Sequence, residues 1–536
     1  MEKRTAAFFG FFMLCMFICI LSVYTVSSGA YLAQTAENQS SYKLTIAETR
    51  GTIYDCNKMA ITGGEKEYLA AVAPSMESAA ALSKVLPKNE MESIYKSLTA
   101  GKPFILKLPK NVNANGIDVF TVEKRYSDKQ TAANIIGYLD GSGVGAAGVE
   151  KAFEEELSKK QGSISVQYKV DAVNRVLVGE NRKINDTSYL KNRGVVLTID
   201  KNIQEIAEQA AEKYLNKAAV LVTEVPSCKI RALVSLPTFS PNDVASALNS
   251  DDSPLINRCL SEYNVGSVFK IVSAASALEY GISPNTEYTC TGATDVYGGM
   301  FHCFNGKSHG SVNMKSAIAQ SCNTYFINAM QEVPQAQFLS TAQNMGFGRS
   351  FEIAPGIVSR PGNLPTLKSL TIPRALANFS FGQGELTATP LQIAAMVNTV
   401  ASSGCFTQPY LYEGLVNENL NYIYKAPEQK HTQVISDNTA ALLKDFMKES
   451  IETGTSNKGK PSNGTAGAKT ATAQTGKYND KGVEIVQSWF AGFYPYDNPK
   501  YVITVFSEDG TGGGATCGPV FKQIADRKST RLNSSH

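Results

Sequence analysis

Gly266-Ser-Val-Phe-Lys-Ile-Val-Ser-Ala-Ala-Ser-Ala-Leu278 is the stretch from which the rest of the chain is read. Ser267 and Lys270 stand ahead of Ile271, Val272, Ala274, Ala275, Ala277 and Leu278, an apolar run long enough for a buried helix, closed by Gly281 and Pro284. A serine at the start of a core helix meets free backbone N–H groups and the positive end of the helix dipole. Both favour an alkoxide and the oxyanion that follows it. A lysine one turn later projects from the same face and reaches the hydroxyl. S-x-x-K also occurs at Ser40, Ser93 and Ser188, but in polar, mixed-charge surroundings where chance suffices.

Two more clusters follow in order. Ser321-Cys-Asn323 comes after the helix-like Val312–Gln320 and leads into apolar Tyr325-Phe-Ile-Asn-Ala-Met330, which puts it at a helix junction facing a cleft. Ser436-Asp437-Asn438 has similar spelling, yet it directly precedes Thr439-Ala-Ala-Leu-Leu-Lys-Asp-Phe-Met447 and reads as an N-cap. Lys469-Thr470 is the only Lys-Thr pair, and Thr470-Ala-Thr-Ala473 has the small, β-compatible residues of a strand running close to a substrate.

S-x-x-K, S-x-N and K-T in this order mark serine acyl-transfer enzymes that react with penicillin. The chain resembles the monofunctional, class B penicillin-binding proteins from Met1 to about Asp526. Further landmarks are Arg50-Gly-Thr-Ile-Tyr-Asp55, Arg125-Tyr126, Asn134-Ile-Ile-Gly137, Gly148-Val-Glu150, Leu197-Thr-Ile-Asp200, Gly382-Gln-Gly384, Thr389-Pro-Leu-Gln392 and Trp489-Phe-Ala-Gly492. The resemblance implies a peptidoglycan D,D-transpeptidase that cross-links stem peptides ending in D-Ala-D-Ala and is blocked by β-lactams. It implies Ser267 as nucleophile and Lys270 as its base, with a pKa lowered by burial beside Lys469. Ser321 would relay a proton to the leaving amine, and Asn323 would hydrogen-bond the substrate amide. Lys469, Thr470 and Thr472 would hold the terminal carboxylate, with Ala471 between them, and the N–H groups of Ser267 and Thr472 would form the oxyanion hole.

At 536 residues the chain holds more than one domain, and its net charge of +3 gives no sign of nucleic-acid binding. No charged residue occurs from Thr5 to Ala36. The apolar run from Ala6 to Val26 is long enough to cross a bilayer and longer than a usual signal core, although Ser27-Ser-Gly-Ala30 offers a rival cleavage site. Lys3 and Arg4 ahead of it put the N-terminus inside and the catalytic part outside. The expected divisions are a cytoplasmic tail (1–4), a single transmembrane anchor (5–28), a pedestal (37–191) and a transpeptidase domain (194–526). Residues 527–536, with one apolar residue and no helical face, read as a non-native tail.

The expected fold is α+β, a penicillin-recognising, β-lactamase-like domain with an antiparallel sheet flanked by helices. Strands are read at Val195–Ile199, Ala218–Glu224, Ile230–Ser235, Ser488–Phe493 and Tyr501–Phe506, around a helical middle. In the pedestal, the acidic run after Gly148 reads as a solvated helix face. The resemblance implies that the pedestal contacts a cell-wall synthesis complex that includes a glycosyltransferase. Among ten cysteines, Cys290 and Cys303 bracket a glycine-rich loop and are either a disulfide or two free thiols, while Cys322 reads as a small packing residue. Four histidines without H-x-x-x-H, and cysteines without C-x-x-C, predict no metal site, and no cofactor is expected.

Glu418-Asn-Leu-Asn421 resembles the water-activating glutamate element of class A β-lactamases but is one residue short and reads as a hairpin turn. A transpeptidase is therefore favoured over a β-lactamase. A D,D-carboxypeptidase, a β-lactam sensor and a non-catalytic cell-wall scaffold are the alternatives. The departures are Val265 and Val268 around the nucleophile, and Ala468 and Ala471 where the family usually has glycine.

Overall fold

The structure, a computed structural model, describes residues 2–159, 162–177, 179, 181–187, 193–478, 482 and 484–532, with side chains described from 3 to 29 and from 40 to 527 within those ranges. The Ser188 S-x-x-K match and residues 533–536 lie outside them. A first helix, α1 (Glu2–Gln39), contains a 27-residue apolar segment, Lys3–Gly29. At 1.5 Å per residue it is ~40 Å long, sufficient for one bilayer crossing.

The chain divides into two compact units. The smaller comprises Met1–Arg50, Gly63–Arg125 and Lys159–Asn192. It pairs Ser41–Glu48, Ser163–Lys169 and Lys183–Asp186 in one sheet, and Phe104–Leu108, Glu65–Val72 and Ile117–Lys124 in another. The larger comprises Gly51–Thr62, Tyr126–Ser158 and Arg193–His536. The block 37–191 read as one pedestal is thus interrupted. Thr52–Tyr54 pairs in parallel with Gly194–Leu197, in the same sheet as Tyr412–Val416 and Tyr422–Lys425. The close pairing is needed at Gly194, where a Cβ would lie 1.7 Å from the Thr52 carbonyl oxygen. The strand read at Val195–Ile199 therefore belongs to this smaller mixed sheet.

The centre of the larger unit is an antiparallel five-stranded sheet. Along the chain come α2 (Lys201–Tyr214), β1 (Ala218–Glu224), β2 (Ile230–Leu236), α3 (Lys270–Tyr280), α4 (Met314–Gln320), α5 (Asn323–Glu332), β3 (Gly467–Tyr478), β4 (Glu484–Tyr494), β5 (Tyr501–Gly510) and α6 (Gly513–Leu532). The order across the sheet is β2-β1-β5-β4-β3, with β3 at the edge. Valine, alanine and aromatic residues on both faces explain why β1, β4 and β5 are buried. One face packs on α2 and α6 through Ile203, Ala207, Val520, Phe521 and Ile524, and the other on the core that includes α3. The helix α6 runs through Leu532, so the segment from 527 onward, read as lacking a helical face, continues it by six residues.

Ser436 caps the helix Asp437–Glu452 by accepting from Thr439 N, as its position before the apolar run predicts. Glu418 is exposed in the turn between Tyr412–Val416 and Tyr422–Lys425, 3.9 Å from Arg193 Nε. The acidic run differs from its expected solvated face. Gly148–Ala152 and Glu154–Leu157 are two short helices meeting at Phe153, and Glu150 is buried, accepting from the Tyr126 hydroxyl at 3.0 Å.

Candidate active site

The turn carrying the nucleophile candidate is built by packing on all sides. Gly266–Phe269 forms a 3-10 turn that runs into α3, so Ser267 lies just ahead of the α-helix rather than within it. Phe269 anchors the turn among Phe379, Phe347 and Phe338, at ring-centroid distances of 4.8, 5.2 and 6.0 Å. At its other end α3 closes on Gly281, which adopts φ +100° and donates to the Ala277 and Leu278 carbonyls.

Two backbones pass this turn closely. A methyl on Gly266, at φ +65°, would lie 3.3 Å from Ala471 Cβ and 3.2 Å from Ala473 Cβ, so β3 runs directly against it. The Ala471 methyl consequently sits in the core against the turn that carries Ser267. Gly382 also lies against the turn, its carbonyl accepting from Gly266 N at 2.8 Å. Trp489 on β4 donates its indole N–H to the Asn264 carbonyl at 2.8 Å, and Asn264 Nδ2 donates to Gln474 on β3 at 2.8 Å, tying the approach to the turn to the sheet.

Gly382 was visible in the sequence only as a landmark. Its φ is +85°, and a Cβ there would lie 2.0 Å from the Gly266 carbonyl oxygen and 2.8 Å from Phe269 Cβ. Gly382→Ala is expected to cost more than the ~1–3 kcal/mol of left-handed strain alone and to slow penicillin acylation. Gly476→Ala, which has φ +66° and open space around its Cβ, is the control. A melting temperature and labelling rate for Gly382→Ala matching those of Gly476→Ala would refute the contact.

Lys270 Nζ is the hub of the site. It lies 3.0 Å from Ser267 Oγ, 2.7 Å from the Ser321 carbonyl oxygen, 3.2 Å from Ser321 Oγ and 2.6 Å from Asn323 Oδ1. Ser321 reaches it from the C-cap of α4 in the left-handed conformation, φ 59° and ψ 41°, strain held by the surrounding structure. Asn323 opens α5 and donates Nδ2–H to the His302 carbonyl at 2.8 Å, which orients its oxygen toward Lys270.

Lys270 is fully buried, and burial pulls its pKa down to about 7, with the thiols of Cys322 and Cys303 pulling the other way. A neutral amine matches the contacts: two N–H groups for the two shortest acceptors, and a lone pair for a serine hydroxyl. Lys469, also fully buried on β3, donates to the Thr470 carbonyl at 2.9 Å and is held well below the ordinary ammonium range, first by burial and then by the charge of Lys270. Burial is the first cause for both lysines, and repulsion between two ammonium groups so close together adds to it. Thr470 Oγ1 donates to Thr455 Oγ1 at 2.9 Å, and Thr472 Oγ1 accepts from Gly513 N at 3.3 Å.

Of the other S-x-x-K serines, Ser93 lies on an exposed helix and spends its hydroxyl on the Glu90 carbonyl. The Cys290 and Cys303 sulfurs are 3.7 Å apart and unbonded, and Cys322, buried in the core as a small packing residue should be, lies 3.9 Å from Cys303.

A serine ahead of a core helix, a buried lysine at hydrogen-bond distance, a serine–asparagine pair and a lysine on an edge strand define a serine acyltransferase site on an antiparallel sheet flanked by helices. A family model described as the penicillin-binding protein transpeptidase domain matches residues 218–526. The chain belongs to the penicillin-binding protein transpeptidase family, and its layout is that of the class B members.

The chain is 30% identical over 349 residues to the peptidoglycan D,D-transpeptidase PbpA of Mycolicibacterium smegmatis, covering 60% of this chain and 70% of that one. Its fold matches penicillin-binding protein 2 of Helicobacter pylori in complex with MreC, at a TM-score of 0.66 and 22% identity, covering 92% of this chain and 99% of that one. It also matches penicillin-binding protein 3 of Mycobacterium tuberculosis complexed with aztreonam, at a TM-score of 0.66 and 21% identity, over 91% of this chain and 97% of that one.

Proposed function

We propose that the protein is a membrane-anchored peptidoglycan D,D-transpeptidase that works through an acyl-enzyme on Ser267 and is a target of β-lactams. The observation that carries this is the buried Lys270 amine 3.0 Å from Ser267 Oγ. Ser267 Oγ attacks the carbonyl carbon of the penultimate D-alanine while Lys270 accepts the hydroxyl proton. The N–H groups of Ser267 and Thr472 receive the oxyanion. The C–N bond to the terminal D-alanine then breaks, and Ser321 passes a proton to the leaving amine. An acceptor amine on a second stem peptide attacks the ester and frees Ser267.

Asn323 hydrogen-bonds the substrate amide, and Lys469, Thr470 and Thr472 hold the terminal carboxylate. An anion arriving beside the buried Lys469 favours its ammonium form, so carboxylate binding takes up a proton. Ala471 acts on this site through the position of the nucleophile turn.

Lys3 and Arg4 before the apolar segment support a cytoplasmic N-terminus and an extracytoplasmic catalytic unit. The smaller unit is read as the surface for a cell-wall synthesis complex with a glycosyltransferase, a reading supported by the MreC complex of the Helicobacter pylori protein. The test is to supply full-length protein with a D-Ala-D-Ala donor and an acceptor stem peptide and to follow products by mass spectrometry. Cross-linked dimer with release of D-alanine is expected. Release without dimer identifies a carboxypeptidase, and penicillin labelling with neither product identifies a sensor.

A further inference from the structure

We propose that the cavity between the last turns of α3 and α5 binds a small primary alkylammonium ligand, recognised by the Tyr325 hydroxyl, the Glu332 carboxylate and the tyrosine rings around them. The cavity measures about 440 Å³, within the range of small-molecule sites, and its walls belong wholly to the larger unit. Tyr280 and Gly281 line it from the end of α3, and Ala329 and Glu332 from the last turn of α5. Glu287 and Tyr288 line it from the segment entering the strand Tyr288–Cys290.

Tyr325 is the residue that points to a ligand. It lines the cavity, is only 3% exposed, and its hydroxyl has no hydrogen-bond partner among the described residues. A buried hydroxyl left unpaired is costly, and a ligand that supplies its partner removes that cost. Burial first, and then the charge of Glu332, pushes the Tyr325 pKa up to about 12. The hydroxyl is therefore neutral, lies within the field of Glu332, and offers lone pairs to an N–H donor.

The surrounding charge selects the sign of the ligand. Glu287 and Glu332 are both exposed at the rim, and none of the lining residues is a lysine, arginine or histidine. Ser311 Oγ donates to Glu287 at 3.1 Å, which holds that carboxylate in place. The negative dipole ends of α3 and α5 both fall on the cavity. The Tyr288 and Tyr325 rings meet edge to face with centroids 6.3 Å apart. Asn328 Nδ2 fixes the first of them by donating to Tyr288 Oη at 3.1 Å and to the Thr324 carbonyl at 2.7 Å. Aromatic faces beside carboxylates attract an organic cation. An anion would meet only repulsion, a neutral apolar molecule would leave Tyr325 unpaired, and a quaternary ammonium has no N–H to give it. A primary alkylammonium satisfies all three demands, with its alkyl tail against Ile282 and Ala329.

The helices that shape the cavity begin at the acylation site, α3 with Lys270 and α5 with Asn323. At 1.5 Å per residue their far ends lie about 15 Å away. The cavity is thus separate from the site of acyl transfer, and its ligand does not depend on the transpeptidase reading.

The test is saturation-transfer NMR on full-length protein in nonionic detergent, with n-butylammonium as the probe and n-butanol as its neutral isostere. Saturable binding of n-butylammonium below about 10 mM is expected, with n-butanol about tenfold weaker or more. Tyr325→Phe and Glu332→Gln should each weaken n-butylammonium about tenfold, the usual loss for a hydrogen bond to a charged group. Glu92→Gln, on the exposed helix Lys88–Ala100 of the smaller unit, should leave binding unchanged. Tyr325→Phe deletes an unpartnered buried oxygen, so without ligand its melting temperature should equal or exceed that of the wild type, which guards against a variant that does not fold. Saturating penicillin should leave the affinity for n-butylammonium unchanged. Equal binding to wild type and both cavity variants, n-butanol binding as well as n-butylammonium, or displacement by penicillin would overturn the site. Binding is read without any catalytic assay, so failure here is separate from failure of the transpeptidase reading.

Discussion

Ser267→Ala is expected to abolish covalent labelling by fluorescent penicillin and to lower stem-peptide cross-linking by roughly 10³-fold or more, since it removes the hydroxyl proposed to form the ester. The substitution removes one oxygen from a site whose geometry rests on other contacts. Lys270 keeps the Ser321 carbonyl, Ser321 Oγ and Asn323 Oδ1, and Phe269 keeps its aromatic surroundings. Melting temperature should therefore stay close to that of the wild type, separating lost chemistry from lost fold. Labelling that survives in Ser267→Ala, with Ser40 and Ser93 still present, would assign the nucleophile elsewhere.

Lys270→Met should lower the second-order acylation constant by about 10²–10⁴-fold, the usual contribution of a positioned base. Methionine preserves most of the volume and none of the proton affinity. In the wild type the sign follows from the pKa of about 7. Below that pH Lys270 is an ammonium and cannot accept the Ser267 proton, so acylation should rise about tenfold per pH unit and flatten above it. Stability moves in the same direction at higher pH. The unfolded lysine titrates near its ordinary value of 10.5, so between about 7 and 10.5 the unfolded chain binds the extra proton and the folded state gains as pH rises. That gain is absent below pH 7, and the acid limb of acylation is thus not an unfolding event. A pH–rate profile without that limb, or a Lys270→Met variant acylating at wild-type rate, would remove Lys270 from the role of base.

Much of this was legible before the structure. The apolar run behind Ser267 announced its own helix, and Gly281 its end, because period and termination are local properties. The same logic separated Ser436 as a cap from Ser321, and the turn at Glu418 from a catalytic carboxylate. Local periodicity also fixed β1, β2, β4 and β5 within a few residues. It failed at Glu150, since a charge on a short amphipathic helix gives no sign of whether a tyrosine from elsewhere, here Tyr126, will meet it.

By itself the sequence determined the three motifs and their order, the apolar segment Lys3–Gly29, and the α+β class, all of which rest on residue type and short-range spacing. Tertiary structure alone decided that Thr52–Tyr54 and residues 126–158 fold with the larger unit. It also decided that Gly382 walls the nucleophile turn and that Cys290, Cys303, His309 and Cys322 converge. These contacts join backbone and side chains far apart in the chain. Their specificity lies in complementary surfaces of separate elements, and no segment carries that information until its partner is packed against it.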